Sequence, residues 1–328
     1  MVTMTVETDY LRSIIEAKSD NPSAFLALNA GNIHFTDPDL DGVITYREAG
    51  RRLVQFGGPV GADAAELLAR FSAFARSRGR KVVAVQVQAG DLPVYEAAGY
   101  TVNQVGASYA IDLTRFTLRG RKFVKLRNKI ARATRSGLVV TEVPQQDWDA
   151  EMRALDARWL AAKGKHTKEL EFLVGEYGGP LQPARRLFVG TIDGTLAGYV
   201  SYSPAYGSRP GWLHDLSRRI PDGPPGVMEA VNSFALETFQ AEGVPWLHFG
   251  FTPFTGLSEE LAPASRSRWF AWLVRQLGAR GAAVYPAATQ LAYKEKWAPH
   301  AVIPEYVAFQ GRASLYGFLQ VFNAANAL

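Results

Sequence analysis

The sequence predicts an α/β (α+β) fold built from two similar units in tandem. Three observations carry that prediction. Apolar runs of strand length, such as KVVAVQV (81–87) and RLFVGTI (186–192), alternate with amphipathic segments of helical period. The same order of elements occurs twice: antiparallel-type strands, a Gly/Pro-rich break, a helix of about four turns and a strongly apolar strand. Between the two runs lies LRGRKFVKLRNKIARATRSG (118–137), with eight Lys or Arg and no acid. At 328 residues the chain has the length of two ordinary domains, and 47% hydrophobic residues against 20% charged suffice for a core in each.

In the first unit, residues 8–18 and 22–28 have helical patterns, and strand-like runs follow near 32–35, 43–46 and 52–55. GGPVG (57–61) is expected to break the chain. Residues 62–78 read as an amphipathic helix with Leu67, Leu68, Phe71 and Phe74 inward, and 81–87 and 107–113 as strands. The second unit opens with a strand at 138–143 and a helix at 146–162. A hairpin of 186–192 and 194–203 then turns at Asp193-Gly194. A strand at 211–216, a break at DGPPG (222–226), a helix at 227–242 and a strand at 244–251 complete the pattern. The expected boundaries are 1–117 for the first unit, 118–137 for the basic helix and 138–328 for the second unit. Strands, a turn opening a helix, then a strand is the order of an acyltransferase-type unit, in which a splayed strand and a helix N-terminus receive an activated acyl group.

Composition narrows the chemistry. The absence of cysteine excludes disulfides, thiol nucleophiles and thiolate metal sites. The five histidines, at 34, 166, 214, 248 and 300, show no metal-ligand spacing, so neither a metal nor another cofactor is expected. The acidic N-terminal stretch lacks the basic-then-apolar pattern of a signal peptide, and no apolar run approaches the ~20 residues that span a bilayer. A cytoplasmic location is expected.

Net charge is only +5 (36 basic against 31 acidic residues), yet 118–137 alone exceeds it. On a helical projection Phe123, Leu126, Ile130 and Ala133 form one stripe. Arg121, Lys125, Asn128, Arg132 and Arg135 lie opposite, flanked by Lys122 and Lys129. A solvated helix face ordinarily mixes Glu with Lys, because like charges one turn apart repel. A run with no acid favours a polyanionic partner, whose phosphates the cations would pair with.

These residues resemble a known family. The chain is similar to the cytosolic catalytic domain of bacterial phosphatidylglycerol lysyltransferases, the aminoacyl-phosphatidylglycerol synthases. GGPVG (57–61) resembles the family's Gly-Asp-Pro-Val-Gly turn, and 111–138 its strand and basic "L-R" helix. WLAAKGKHTKELEFLVGEY (159–177), LHDLSRRIPDGPPGVMEAV (213–231), HFGFTPFTGL (248–257), AYKEKWAP (292–299) and PEYVAF (304–309) follow in family order. The resemblance implies two tandem GNAT-like (acyl-CoA N-acyltransferase-like) domains joined by the basic helix, in a freestanding soluble member. It also implies transfer of an amino acid, lysine or another, from aminoacyl-tRNA to a hydroxyl acceptor, either phosphatidylglycerol or a soluble biosynthetic intermediate. The implied partners are aminoacyl-tRNA, that acceptor and a peripheral membrane contact, with no DNA. Five departures stand out. Gly58 replaces an acid in the first turn, and GASYA (106–110) lacks the glutamates usual there. Glu176 and Glu305 replace arginines, and the stretch before YKEKW lacks an Arg.

The site residues follow from the same resemblance. Asp215 and Arg218 of DLSR are expected in the active site, Asp215 to orient an amino group or act as base, Arg218 to hold a phosphate or the oxyanion. Lys294 of YKEKW is expected to point into a cleft as phosphate ligand or oxyanion stabiliser. Glu229, Lys296 and Thr252 are the expected substrate contacts, and Arg121, Lys122, Lys125, Arg127, Lys129 and Arg132 the expected tRNA contacts. His214 and His248, within apolar strands, are expected to be core histidines. Two other classes compete: an ordinary acyl-CoA-dependent N-acyltransferase, and a non-catalytic RNA- or membrane-surface-binding protein of the same fold.

Overall fold

The computed structural model describes residues 6–163, 169–280 and 287–327. His166 and the middle of the 159–177 motif lie outside them. Helix α1 (Val6–Lys18) and a 3₁₀ turn (Ala24–Leu28) precede strands β1 (Ile33–Asp37), β2 (Leu40–Ala49) and β3 (Arg52–Gly61). Helix α2 (Ala64–Ser77), strand β4 (Lys81–Val87), short helix α3 (Leu92–Ala97) and long strand β5 (Tyr100–Asp112) complete the first half. Helix α4 (Val124–Arg135) is the basic segment. It starts later than the sequence suggests, because Gly120 has φ +96° and residues 121–123 form a 3₁₀ turn.

Strand β6 (Val139–Val143), helix α5 (Asp149–Lys163), strands β7 (Arg186–Ile192), β8 (Thr195–Ala205) and β9 (Gly211–Arg219), helix α6 (Val227–Ala241) and strand β10 (Trp246–Pro253) repeat the pattern. Helices α7 (Arg268–Arg280) and α8 (Ala287–Glu295), strand β11 (Ala301–Gln310) and helix α9 (Leu315–Ala324) follow. In each half three antiparallel strands lead through a helix to a strand parallel to the third: β4 beside β3, β10 beside β9. That is the GNAT-like order expected in tandem.

The eleven strands of the described residues form one sheet, in the order β1-β2-β3-β4-β11-β5-β10-β9-β8-β7-β6. Strand β11 runs antiparallel to both β4 and β5, so a strand from late in the chain completes the first half of the sheet. One difference from the sequence reading concerns GGPVG: it ends β3 rather than breaking the chain, with Val60 opposite Val43 and Gly61 opposite Gly42. Pro59 falls in the register break between Phe56 and Val60, where its missing N–H removes no ladder bond.

Helix α4 meets the expectation drawn from its period. Phe123, Leu126 and Ala133 are buried while Arg121, Lys125, Asn128, Arg132 and Arg135 are exposed. It packs on the start of α6, where Gly226 has φ +97° and a Cβ would come 2.1 Å from the Lys129 carbonyl oxygen. Only glycine satisfies both demands. A second tie joins these helices to α8: the Glu229 carboxylate, 8% exposed, receives Lys129 Nζ at 3.1 Å and Lys296 Nζ at 3.2 Å. Burial pushes that carboxyl up, but the two ammonium groups outweigh burial and hold it below its ordinary value.

Two predictions follow from this junction. Gly226→Ala should lower stability by about 3 kcal/mol, adding a clash to left-handed strain. Gly243→Ala, also at positive φ but with nothing within 4 Å, should cost about 1–2 kcal/mol in the same urea titration. Because the folded-state value of Glu229 is depressed, its contribution is present above about pH 4.5 and fades as pH falls through the folded value. Wild type should exceed Glu229→Gln by about 1–2 kcal/mol at neutral pH, since both lysines are partly solvated, and urea midpoints of the two should converge once the pH has fallen below the folded value.

Candidate functional site

The second half opens where β9 and β10 part. Their parallel pairing covers Gly211–Leu213 against Trp246–His248 and stops there. Beyond it β9 bulges against β8 at Asp215, and β10 shifts register against β5 between His248 and Phe251, with Gly250 at φ +70°. Where β10 diverges from β9, a side chain from α8 takes two of its carbonyls. Lys294 Nζ donates to Gly250 O at 2.6 Å and to Phe251 O at 3.1 Å, with the Tyr109 ring 5.7 Å away. Lys294 is only 7% exposed, and burial pulls its amine down to about 7 against the attraction of Glu305.

Glu305 arrives on β11, wholly buried, and accepts a hydrogen bond from Ser108 while its Oε2 has no partner. Burial lifts it to about 7, against hydrogen bonding from Ser108 and the Lys294 charge. His214 lines the same side, against Tyr202, Phe249 and Tyr293, and burial lowers it to about 3 with help from Lys294. His248 is fully buried and bonded to Arg209 O at 2.8 Å. His248 is a core histidine as expected, whereas His214 is half-buried among the rings. Thr252 is buried with Oγ1 unpartnered, two residues beyond the Gly250 carbonyl that holds Lys294.

The expected residues do not form one cluster. Lys296 and Glu229 meet between α6 and α8, where the Tyr293 hydroxyl receives Asn232 Nδ2 at 2.6 Å, while Lys294 turns to the β10 carbonyls. Asp215 lies toward the other side of the sheet, its side chain fully enclosed beside an equally enclosed Arg185 (Nε to Oδ2, 3.5 Å) and bonded by Ser203. Arg185 also reaches Asn29 at 2.6 Å and Glu176 at 3.6 Å, while the Phe25 ring lies 5.0 Å from its guanidinium. Burial raises the Asp215 carboxyl to about 7, with Arg185 opposing. Gly175 closes over it: a Cβ there would come 2.5 Å from Asp215 Cγ. Arg218 belongs to a third group on α5, stacked on Trp159 at 4.2 Å and facing Asp156 at 3.8 Å and Glu169 at 3.7 Å.

Sequence reasoning missed Arg185 and Ser203, which carry no local signal, and noticed Glu305 and Glu176 only as departures from a pattern. Of the cations expected to bind nucleic acid, Arg127 braces the α4 entry by donating to Leu118 O and Gly120 O, and Lys129 is engaged by Glu229. Arg121, Lys122, Lys125 and Arg132 are exposed, and among the described residues none has an acidic partner. The described residues also hold no cluster of His, Asp and Glu suited to a metal ion, and no helix long and apolar enough to cross a membrane.

Comparison with known proteins places this arrangement. The phosphatidylglycerol lysyltransferase of Bacillus subtilis is 24% identical over 315 residues, 94% of this chain and 36% of the relative, so the chain spans about a third of that relative's length. A solved C-terminal domain from Agrobacterium fabrum superposes with a TM-score of 0.79 at 22% identity, covering 98% of each chain. The structure of L-PGS from Bacillus licheniformis gives 0.76 at 22% identity, covering 96% of this chain and 95% of that one. The pattern described as "Phosphatidylglycerol lysyltransferase, C-terminal" matches residues 12–309, and the chain belongs to that family.

Proposed function

We propose that this chain transfers an amino acid from aminoacyl-tRNA to a hydroxyl acceptor. The observation that carries the reading is Lys294: an amine held inside a splayed sheet, a helix away from exposed Arg121, Lys122, Lys125 and Arg132, which have no acidic partner among the described residues. An aminoacyl ester is already activated, so the protein must position ester and acceptor, move one proton and stabilise a tetrahedral oxyanion. The acceptor oxygen attacks the ester carbonyl carbon, the bond to the terminal ribose oxygen breaks, and the acceptor's proton ends on that ribose oxygen. Lys294 uses two positions of its nitrogen on Gly250 and Phe251. The third is an N–H when charged and a lone pair when neutral, suited to the oxyanion in one form and the proton in the other.

Asp215, enclosed by Arg185 and Ser203, has no open side for an acceptor proton and serves as a positioning residue for the β9 wall. Arg218, stiffened on Trp159 in a group apart from Lys294, holds a phosphate rather than the oxyanion. Thr252 and Lys296 contact substrate, and Glu229 fixes Lys296 rather than meeting a substrate amine directly. Arg121, Lys122, Lys125 and Arg132 contact the tRNA backbone.

The acyl-CoA alternative fits the α6 entry poorly. Pro224 and Pro225 remove amide donors there, and Glu229 puts negative charge in the first turn, where a pyrophosphate would need the positive end of the helix.

The test incubates the protein with radiolabelled charged tRNAs, phosphatidylglycerol vesicles and a small-molecule extract. Label should leave tRNA, and its partition into lipid or water identifies the acceptor. No movement of label from any tRNA, with acetyl-CoA raising the melting temperature instead, would favour the acyl-CoA reading. Lys294→Met should lower the transfer rate by about 10²-fold or more while the circular dichroism spectrum is kept. Reversing Arg121, Lys125 and Arg132 to Glu should weaken tRNA binding and flatten its log–log salt dependence by about 2–3.

A further inference from the structure

The first half has a splay of its own, and its contents differ from those of the second. Parallel pairing of β3 with β4 runs from Arg52–Lys81 to Phe56–Val85 and ends there. The next residues on the two strands, Gly57 and Gln86, both have positive φ, +67° and +53°. Gly58 follows at an ordinary φ, and a Cβ built on it would lie 2.4–2.5 Å from Cγ and both oxygens of Asp91. The Asp91 carboxyl therefore occupies the space that a side chain at 58 would fill. A carboxylate thus stands beside a turn that supplies none of its own.

Gln88 links that carboxyl to the second half. Its backbone N–H donates to Asp91 Oδ2 at 3.0 Å, its side chain donates to Gln86 O at 3.2 Å, and strand register sets it beside Glu305. Pairing of β11 with β4, Tyr306 opposite Val87, brings Glu305 to this spot. The nearby donors are occupied: Asn21 Nδ2 is bonded to Gln86 O at 3.0 Å. The buried atoms left without partners are acceptors, Glu305 Oε2 and Gln86 Oε1, in residues 0% and 1% exposed. Acceptors without donors are the complement of a group that only donates, and a primary ammonium is such a group.

We propose that Asp91 and Glu305, joined through Gln88, form an ammonium subsite that receives the amine of the transferred amino acid. The proposal rests on the aminoacyl reading of the Lys294 mouth and extends it. An aminoacyl group laid from Lys294 toward Asp91 would present its carbonyl at the lysine and its amine at the carboxylates, with Glu305 between. Asp91 is then a specificity-determining residue in the first half of the chain for chemistry carried by the second.

The test measures binding separately from transfer. Alaninamide and lysinamide, each with free and with acetylated amines, are titrated calorimetrically into the wild type and Asp91→Asn. Asparagine keeps the hydrogen bond from Gln88 and loses the charge, so the fold should persist, as a thermal melt would check. The wild type should prefer a free amine over its acetylated form, and Asp91→Asn should lose about 10- to 100-fold of that preference. Moving the carboxylate onto the turn, in Gly58→Asp with Asp91→Gly, should restore it, whereas Asp91→Gly alone should not. Equal affinity for free and acetylated amides in the wild type, or an unchanged ratio in Asp91→Asn, overturns the subsite. Amine-selective binding in a protein that transfers nothing from charged tRNA supports the subsite and refutes the reaction instead.

Discussion

An amine kept inside a β-sheet constrains everything around it. Stripping an ammonium of water costs several kcal/mol unless other groups replace the water, and Lys294 finds them only because β10 ceases to be an ordinary strand. Gly250 turns at positive φ, the register against β5 slips, and the pairing with β9 ends, and there two carbonyl oxygens accept from the amine. Burial beside the Tyr109 ring keeps the dielectric low, which is why the proton on that nitrogen is held loosely. Glu305 from β11 supplies the opposite charge.

The two splays show one backbone device put to two uses. In each, a parallel pair separates after a few residues and glycine takes the strained turn. One mouth receives a single amine from a late helix. The other is filled by amides and a carboxyl from its own strand and the turn behind it. Since β11 pairs with β4 and β5, the two mouths share the buried residue between them, Glu305. The continuous sheet thus places groups separated by most of the sequence next to one another.

Much of this frame was legible before any coordinates. The amphipathic stripe of α4 and the repeated strand–helix–strand order are properties of local period, and local period survives folding. GGPVG was misread because glycine and proline are ordinarily punctuation. Here the same residues sit where a strand has lost its neighbour and has no ladder bond to forfeit. The chemistry was legible only in part. Lys294 could be singled out within YKEKW, since residues two apart on a helix face different ways, here one toward β10 and the other onto Glu229. Nothing in the sequence pairs Asp215 with Arg185, or sets Asp91 over Gly58, because those meetings depend on bulges and on the position of β11. Strand register at long range leaves no trace in composition.

The placement of β11 also bears on how the protein comes into being. While the ribosome is still making the second half, β4 and β5 have each been synthesised with an open edge facing the other, and the strand that belongs between them does not yet exist. The nascent first half must hold two sticky edges apart throughout that interval, in a topology dominated by distant contacts that close slowly. Protein quality therefore depends on what shields that gap during translation.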